Sequence, residues 1–146
     1  MNTKRKASGF FIVEILIVLL IVGILAVALL PNLTVYTQKA KFRDDIAAAA
    51  ALKPAVEFCL IKNQSGTTLS TLCAEGAEGI PANIASGYGG YVGSTAVAGG
   101  VVTITSTTNF GASGTDEYTY ILTPTISTNS VITWAATGTC AAQGLC

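Results

Sequence analysis

Hydrophobic and polar positions follow three regimes along the chain. From Phe10 to Leu30 there are 21 residues with no charge except Glu14. At 1.5 Å per residue, a helix over this run spans about 31 Å, one hydrocarbon core. Lys4, Arg5 and Lys6 precede it and no acid does, which keeps that end on the cytoplasmic side under the positive-inside rule. Lys39 to Asp45 then marks an exit into water. Phe42, Ile46, Ala49 or Ala50, Val56 and Leu60 share the i, i+4 spacing of one helical face, with Lys53 the exception. The Ala47–Ala51 run has high helix propensity. Pro54 predicts a kink, because it lacks an amide donor and crowds the preceding turn. Asn63-Gln64-Ser65-Gly66 supplies the stop. The pattern predicts one helix from about Phe11 to about Lys62, its first half membrane-embedded and its second half amphipathic.

Past Gly66 the period changes. Residues 66–100 form a Gly-, Ala-, Ser- and Thr-rich connection with Pro81 and the Gly87-Tyr88-Gly89-Gly90-Tyr91 cluster. A turn or short helix fits Leu69–Leu72. The glycines suit turns of positive φ, and no Lys-Ser or Lys-Thr follows them to make a phosphate loop. Val101 to Thr105 is β-branched throughout. Glu117 to Ser127 alternates, with Tyr118, Tyr120 and Leu122 on one face and Thr119, Ile121 and Thr123 on the other. Val131 to Ala136 places Ile132 and Trp134 on one face. Tyr91 to Val97 is a candidate fourth strand. Turns are signalled at Asn109-Phe110-Gly111, Ser113-Gly114 and Thr128-Asn129-Ser130. Pro124 points to an edge or a bulge near its strand end. The expected fold class is α+β: a long N-terminal α-helix whose C-terminal half packs on a three- or four-stranded antiparallel sheet. Trp134 is assigned to the core rather than to a binding platform.

Glu14 is the anomaly in the apolar run. An acid there costs on the order of 2.5–3.5 kcal/mol on insertion scales, so it calls for a partner or a function. A plain signal anchor would be better with Leu. A secretory signal peptide cut after Ala26-Val27-Ala28 is the other bland reading, but Glu14 interrupts its apolar core and Pro31 has no role in it. If the chain were cut after Gly9, a new amine on Phe10 would lie about one turn from Glu14, or beside it on a neighbouring copy. The two charges neutralise each other there if their hydrogen bonds are met.

Gly9-Phe10-Phe11-Ile12-Val13-Glu14, followed by an apolar run containing Gly23 and ending Ala28-Leu29-Leu30-Pro31, resembles the amino-terminal signature of type IV pilins, in their type IVa-like prepilin form. The resemblance is close over residues 4 to about 43. Phe11 stands where the family usually has Thr, and Leu33 where an aromatic is common; Tyr36 matches a frequent aromatic. The resemblance implies that a prepilin peptidase removes the basic leader after Gly9 and that Phe10 becomes the N-methylated terminus. Glu14 would be the docking carboxylate of assembly, and Gly23 and Pro31 the helix-breaking positions between which the helix can unwind in fibres. It divides the chain into leader (1–9), transmembrane and polymerisation half-helix (10–31), amphipathic half-helix (32–62), and a loop-and-sheet head with a C-terminal disulfide region (63–146). It implies an α+β pilin fold and a homopolymer. Further partners would be the peptidase, the inner-membrane assembly machinery and, before assembly, the membrane itself. The precursor would reside in the bacterial inner membrane and the product in an extracellular fibre for adhesion, twitching motility or DNA uptake. A minor pilin, a type II secretion pseudopilin and a non-polymerising membrane-anchored adhesin are the alternatives.

The remaining chemistry is sparse. The chain has 146 residues, 137 beyond position 9, and formal charge zero; five bases and eight acids beyond position 9 leave −3. From Asn63 to Cys146 there is no Lys or Arg, so the head is not expected to bind nucleic acid by neutralising phosphates. Lys39, Lys41 and Arg43 read as a solvated face. No His is present to serve a Ser or Cys nucleophile, and Asp44-Asp45 and Asp116-Glu117 read as solvated surface, so no enzyme, catalytic residue or cofactor is expected. Glu75 and Glu78 give weak support for calcium, and no metal site is assigned. Cys59, Cys73, Cys140 and Cys146 contain no CxxC pair, and an extracytoplasmic setting favours disulfides. Three connectivities exist. The local pairs Cys59–Cys73 and Cys140–Cys146 are preferred, the second resembling the disulfide-bounded tail of many pilins although only five residues separate its cysteines. A crossed pairing, with Cys59 or Cys73 reaching the tail, stays open.

Overall fold

The structure, a computed structural model, describes residues 7–63, 71–85, 89–107, 110 and 116–146. Its elements in chain order are α1 (Ala7–Asn63), β1 (Val92–Ala98), β2 (Val101–Ser106), β3 (Thr119–Ile126), β4 (Ile132–Thr137) and α2 (Thr139–Ala142). The chain divides into two compact units, the first ending at Thr37 and the second beginning at Gln38.

The first unit carries the amino-terminal part of α1. Helical backbone is assigned through Gly23 and Pro31 alike. From Phe11 to Ala28 every residue is exposed, so no apolar side chain there has a core of its own.

The second unit contains the rest of α1 and a four-stranded antiparallel meander of order β1-β2-β3-β4. The candidate strand at Tyr91–Val97 is therefore real, as β1. The β1–β2 hairpin closes with Gly99 and Gly100, at φ +56° and +82°, directly after the Ala98↔Val101 pair. Two positive φ values in a two-residue turn match the right-handed twist of the strands. Gly100 is needed twice over, since a Cβ there would lie 2.9 Å from Leu60 Cδ2 on α1. The β3–β4 turn forms at the predicted Thr128-Asn129-Ser130, with Ser130 at φ 58°.

Alternation along the strands decides what they bury. β2 buries Val102, Ile104 and Ser106, and β3 buries Tyr120, Leu122, Pro124 and Ile126. Tyr118, expected on that inner face, lies before β3 and is half-buried. Pro124 does not mark an edge strand, because β3 lies between β2 and β4. Its missing amide is tolerated for a local reason. The Ser106 amide donates to the Tyr118 carbonyl, so even-numbered β3 residues turn their backbone groups toward β2. Pairing with β2 ends at Val102↔Leu122, short of Pro124, while pairing with β4 continues through Pro124↔Trp134.

The second half of α1 covers this inner face with Phe42, Asp45, Ala48, Ala49, Leu52, Val56, Cys59 and Leu60. Of the predicted face, Phe42, Ala49, Val56 and Leu60 are buried. Ile46 and Lys53 are half-buried and Ala50 is exposed. Steps of four residues drift by about 40° per step on a 3.6-residue helix, so the buried seam alternates steps of three and four. Phe42 anchors it, packing edge-on against Phe110 and Tyr120 at centroid distances of 5.6 and 6.2 Å. Phe110 also meets Tyr91 and Tyr118 edge-on at 5.8 and 6.0 Å. Each such ring pair adds about 0.5–1.5 kcal/mol beyond its buried area. The helix continues through Pro54, which is exposed.

Candidate functional site

The predicted site residues fall on both units. Gly9 and Phe10 lie in the first turns of α1. Glu14 is exposed within the Phe11–Ala28 run, flanked by Val13 at 54% and Ile15 at 43% exposure. Among the described residues it has neither a hydrogen-bond nor an ion-pair partner. A helix apolar on every side needs an apolar surround, either lipid or other helices. Its one acid calls for a partner that the described residues do not supply. Gly23 sits in a shallow groove with Leu19, Leu20, Ile24 and Val27. A Cβ on Gly23 would meet nothing within 4 Å, so packing within the chain does not demand this glycine. A notch of this kind lets another backbone approach closely.

In the second unit the four cysteines pair locally. Cys59 bonds Cys73 with 5.7 Å between Cα atoms, and Cys140 bonds Cys146 with 5.5 Å. The first bridge fixes the end of α1 to the segment that leads to β1. It is reinforced by Lys62 Nζ, which donates to Glu78 Oε2 at 2.6 Å, and by the Gly100 amide, which donates to the Cys73 carbonyl. That places Glu78, a calcium candidate, in an ion pair. The second bridge closes the tail over α2. Gly138, at φ +123°, enters that tail where a Cβ would strike the Thr119 carbonyl at 2.2 Å.

Two polar features escaped the sequence reading. Trp134 is half-buried against the core, as assigned, but its Nε1–H also donates to Glu57 Oε1 at 2.7 Å. Lys53 Nζ stands 5.3 Å from its ring centroid. The indole therefore joins β4 to the flank of α1. Asp45, by contrast, is not solvated surface. It is fully buried, and neither of its carboxylate oxygens has a hydrogen-bond partner among the described residues. Burial, with the neighbouring Asp44 adding like-charge repulsion, pushes its carboxyl from 3.8 to about 7. The alternating three-and-four seam runs through Asp45, which is the signal that would have found it. Of the basic cluster, Lys39 and Arg43 are exposed, but Lys41 is half-buried with its ammonium 4.9 Å from the Tyr91 centroid.

An apolar, uncovered amino-terminal helix with one acid, joined in sequence to a helix-on-sheet head closed by two disulfides, directs comparison to pilus proteins. The chain is 38% identical over 88 residues to the type IV pilus subunit protein TapA of Aeromonas hydrophila, covering 60% of this chain and 58% of that protein. It is 36% identical over 105 residues to the type IV major pilin protein PilE1 of Neisseria gonorrhoeae, covering 72% of this chain and 59% of that one. The chain belongs to the type IV pilin family. This pilin also shares 35% identity over 60 residues with the type II secretion system core protein G of Aeromonas hydrophila, 41% of this chain and 42% of that protein. The pilin spans about three-fifths of the length of the first relatives it matches. No protein-family model matches it. It has the build of a pilin-like structural subunit, with an exposed apolar helix and a folded head.

Proposed function

We propose that this protein is the structural subunit of a type IV pilus and polymerises through its amino-terminal helix into a surface fibre. The observation that carries this reading is the Phe11–Ala28 surface: 18 residues, all exposed, apolar except for Glu14. The precursor sits in the inner membrane with Lys4, Arg5 and Lys6 inside. Prepilin peptidase cuts after Gly9, and the new terminus at Phe10 is methylated. The Phe10 amine of one copy pairs with Glu14 of a neighbour, which removes the cost of both charges as the helix leaves lipid for the fibre core. The inner-membrane assembly machinery drives that transfer, and Gly23 and Pro31 let the helix adjust. The heads form the outside of an extracellular fibre that serves adhesion, twitching motility or DNA uptake. The role is structural rather than enzymatic, and the sequence contains no His to act as a general base. Without a Lys or Arg beyond Lys62, the head does not itself hold nucleic acid, so any role in DNA uptake comes from other parts of the fibre.

The test is fractionation. Sheared fibres with this chain as the major band support the reading. A chain that stays in the membrane fraction of fibre-bearing cells contradicts it. Gly9→Val is expected to leave the leader attached and raise the mature mass accordingly; an unchanged mass overturns the cleavage assignment. The similarity to a type II secretion core protein favours one second reading, a pseudopilin. Deletion of the gene would then abolish protein secretion and leave surface fibres unchanged.

A further inference from the structure

The head encloses an acid that its own fold does not neutralise. Asp45 is fully buried on the α1 seam, one turn from Phe42 on one side and from Ala49 on the other, and both its oxygens lack hydrogen-bond partners among the described residues. A charged carboxylate in such surroundings is strongly disfavoured unless a cation reaches it. The sheet cannot supply one, because no Lys or Arg occurs from Asn63 to Cys146. Strands β1, β2 and β4 and helix α2 contain no acid and no base, and β3 contributes only the Tyr120 phenol. The segments flanking the strands add the phenols of Tyr91 and Tyr118, while Asp116 and Glu117 are exposed. On α1, Lys39 and Arg43 are exposed, Lys53 lies over Trp134 and Lys62 pairs with Glu78. Lys41, one turn from Asp45, is placed over the Tyr91 ring. The remaining neighbour, Asp44, carries a like charge and is crowded against Gly90, where a Cβ would lie 2.6 Å from its Oδ2.

We propose that Asp45 is a proton-operated switch on the helix–sheet contact of the head: the protonated acid seats α1 on the sheet, and its ionisation loosens that seam. The site's geometry sets the direction. The folded head holds the Asp45 proton up to about pH 7, whereas the unfolded chain releases it near 3.8. The folded state therefore binds more protons between those values. The Asp45 contribution to stability is fully present below about pH 4, falls as pH rises to about 7, and is level above that. Mildly acidic surroundings give the firmest head.

Thermal unfolding of the full chain in detergent micelles tests this, followed by the near-ultraviolet dichroism of Trp134 and the tyrosines from pH 4.5 to 8.5. Wild type, Asp45→Asn and Asp44→Asn are compared. Relative to Asp45→Asn, the wild-type midpoint is expected to drop by about 5 °C or more across the window. Asp44→Asn is expected to show a smaller drop that levels off at a lower pH than in wild type, because the like charge that helps raise Asp45 is gone. A difference between wild type and Asp45→Asn that does not vary with pH overturns the proposal. If Asp45→Asn does not fold, the wild-type Asp45 side-chain carbon is titrated by NMR in the same micelles. A midpoint near 7 supports the switch, and one near 4 overturns it.

Discussion

Glu14 and Asp45 are both acids without a partner among the described residues, and their surroundings are opposite. Glu14 lies on a helix that its own chain leaves uncovered from Phe11 to Ala28. Asp45 lies under a sheet that its own chain has closed over it. Folding has already enclosed Asp45, and burial raises its carboxyl to about 7, whereas Glu14 remains for a second event to enclose. The proposed association thus falls to the first half of α1, while the second half packs in the head. The same helix-forming chemistry gives different outcomes because only the second half is followed by a sheet that it can cover. Apolar surface without an intramolecular partner still seeks burial, which is the physical basis for assigning polymerisation to the first half.

That contrast breaks most visibly at Glu14. Glu14→Leu is expected to leave membrane insertion intact and lower the yield of sheared fibres by roughly tenfold or more, since loss of a docking charge pair costs about 1.4 kcal/mol per factor of ten. Normal fibres from this variant would remove its docking role. Next in size is a matched pair of core tests in detergent. Phe42→Ala should destabilise the head by about 3–5 kcal/mol, whereas Leu20→Ala, at a position 63% exposed, should leave head unfolding within about 0.5 kcal/mol of wild type. Chemical denaturation followed through Trp134 measures both. Equal effects would mean that the two halves fold as one unit.

The disulfides sharpen the comparison within the head. Replacing Cys59 and Cys73 with Ser opens the larger loop, 14 residues apart in sequence, and should cost about 3 kcal/mol. Replacing Cys140 and Cys146, 6 apart, should cost about 2 kcal/mol in the same chain-entropy account. A reversed order would point to native-state contacts of the tail as the larger contribution. The smallest expected effect is Trp134→Phe, which removes the bond to Glu57 and should cost about 1 kcal/mol in chemical denaturation followed, for this variant and wild type alike, by far-ultraviolet dichroism. No change would mean that the indole is held by packing alone.

The parts of this fold that were legible share one property: they are local. The apolar run, the Gly-Phe junction, the strand alternation at Val101–Thr105 and Glu117–Ser127, and the spacing of the cysteines are all visible in short windows. Even the helix ends are close, with Phe11–Lys62 expected and Ala7–Asn63 found. What was missed depends on contacts between distant segments. Asp45 beside Asp44 looks solvated until the phase of the helix against the sheet is known. Glu57 and Trp134 are 77 residues apart, and no local pattern joins them. Pro124 signalled an edge correctly only for the few residues where β2 has already ended. The turn expected at Leu69–Leu72 falls partly, and those at Gly87-Tyr88, Asn109, Gly111 and Ser113-Gly114 wholly, outside the described residues.

The central claim is that the exposed helix is processed and then buried in a fibre. Intact-mass and amino-terminal analysis of this chain from a sheared surface fraction tests it most directly. The account predicts a chain beginning at N-methylated Phe10, lighter than its reduced form by the hydrogens of two disulfides. A surface chain beginning at Leu29 would contradict it, because a secreted head would have discarded Glu14, and so would a cell-bound chain that retains Met1.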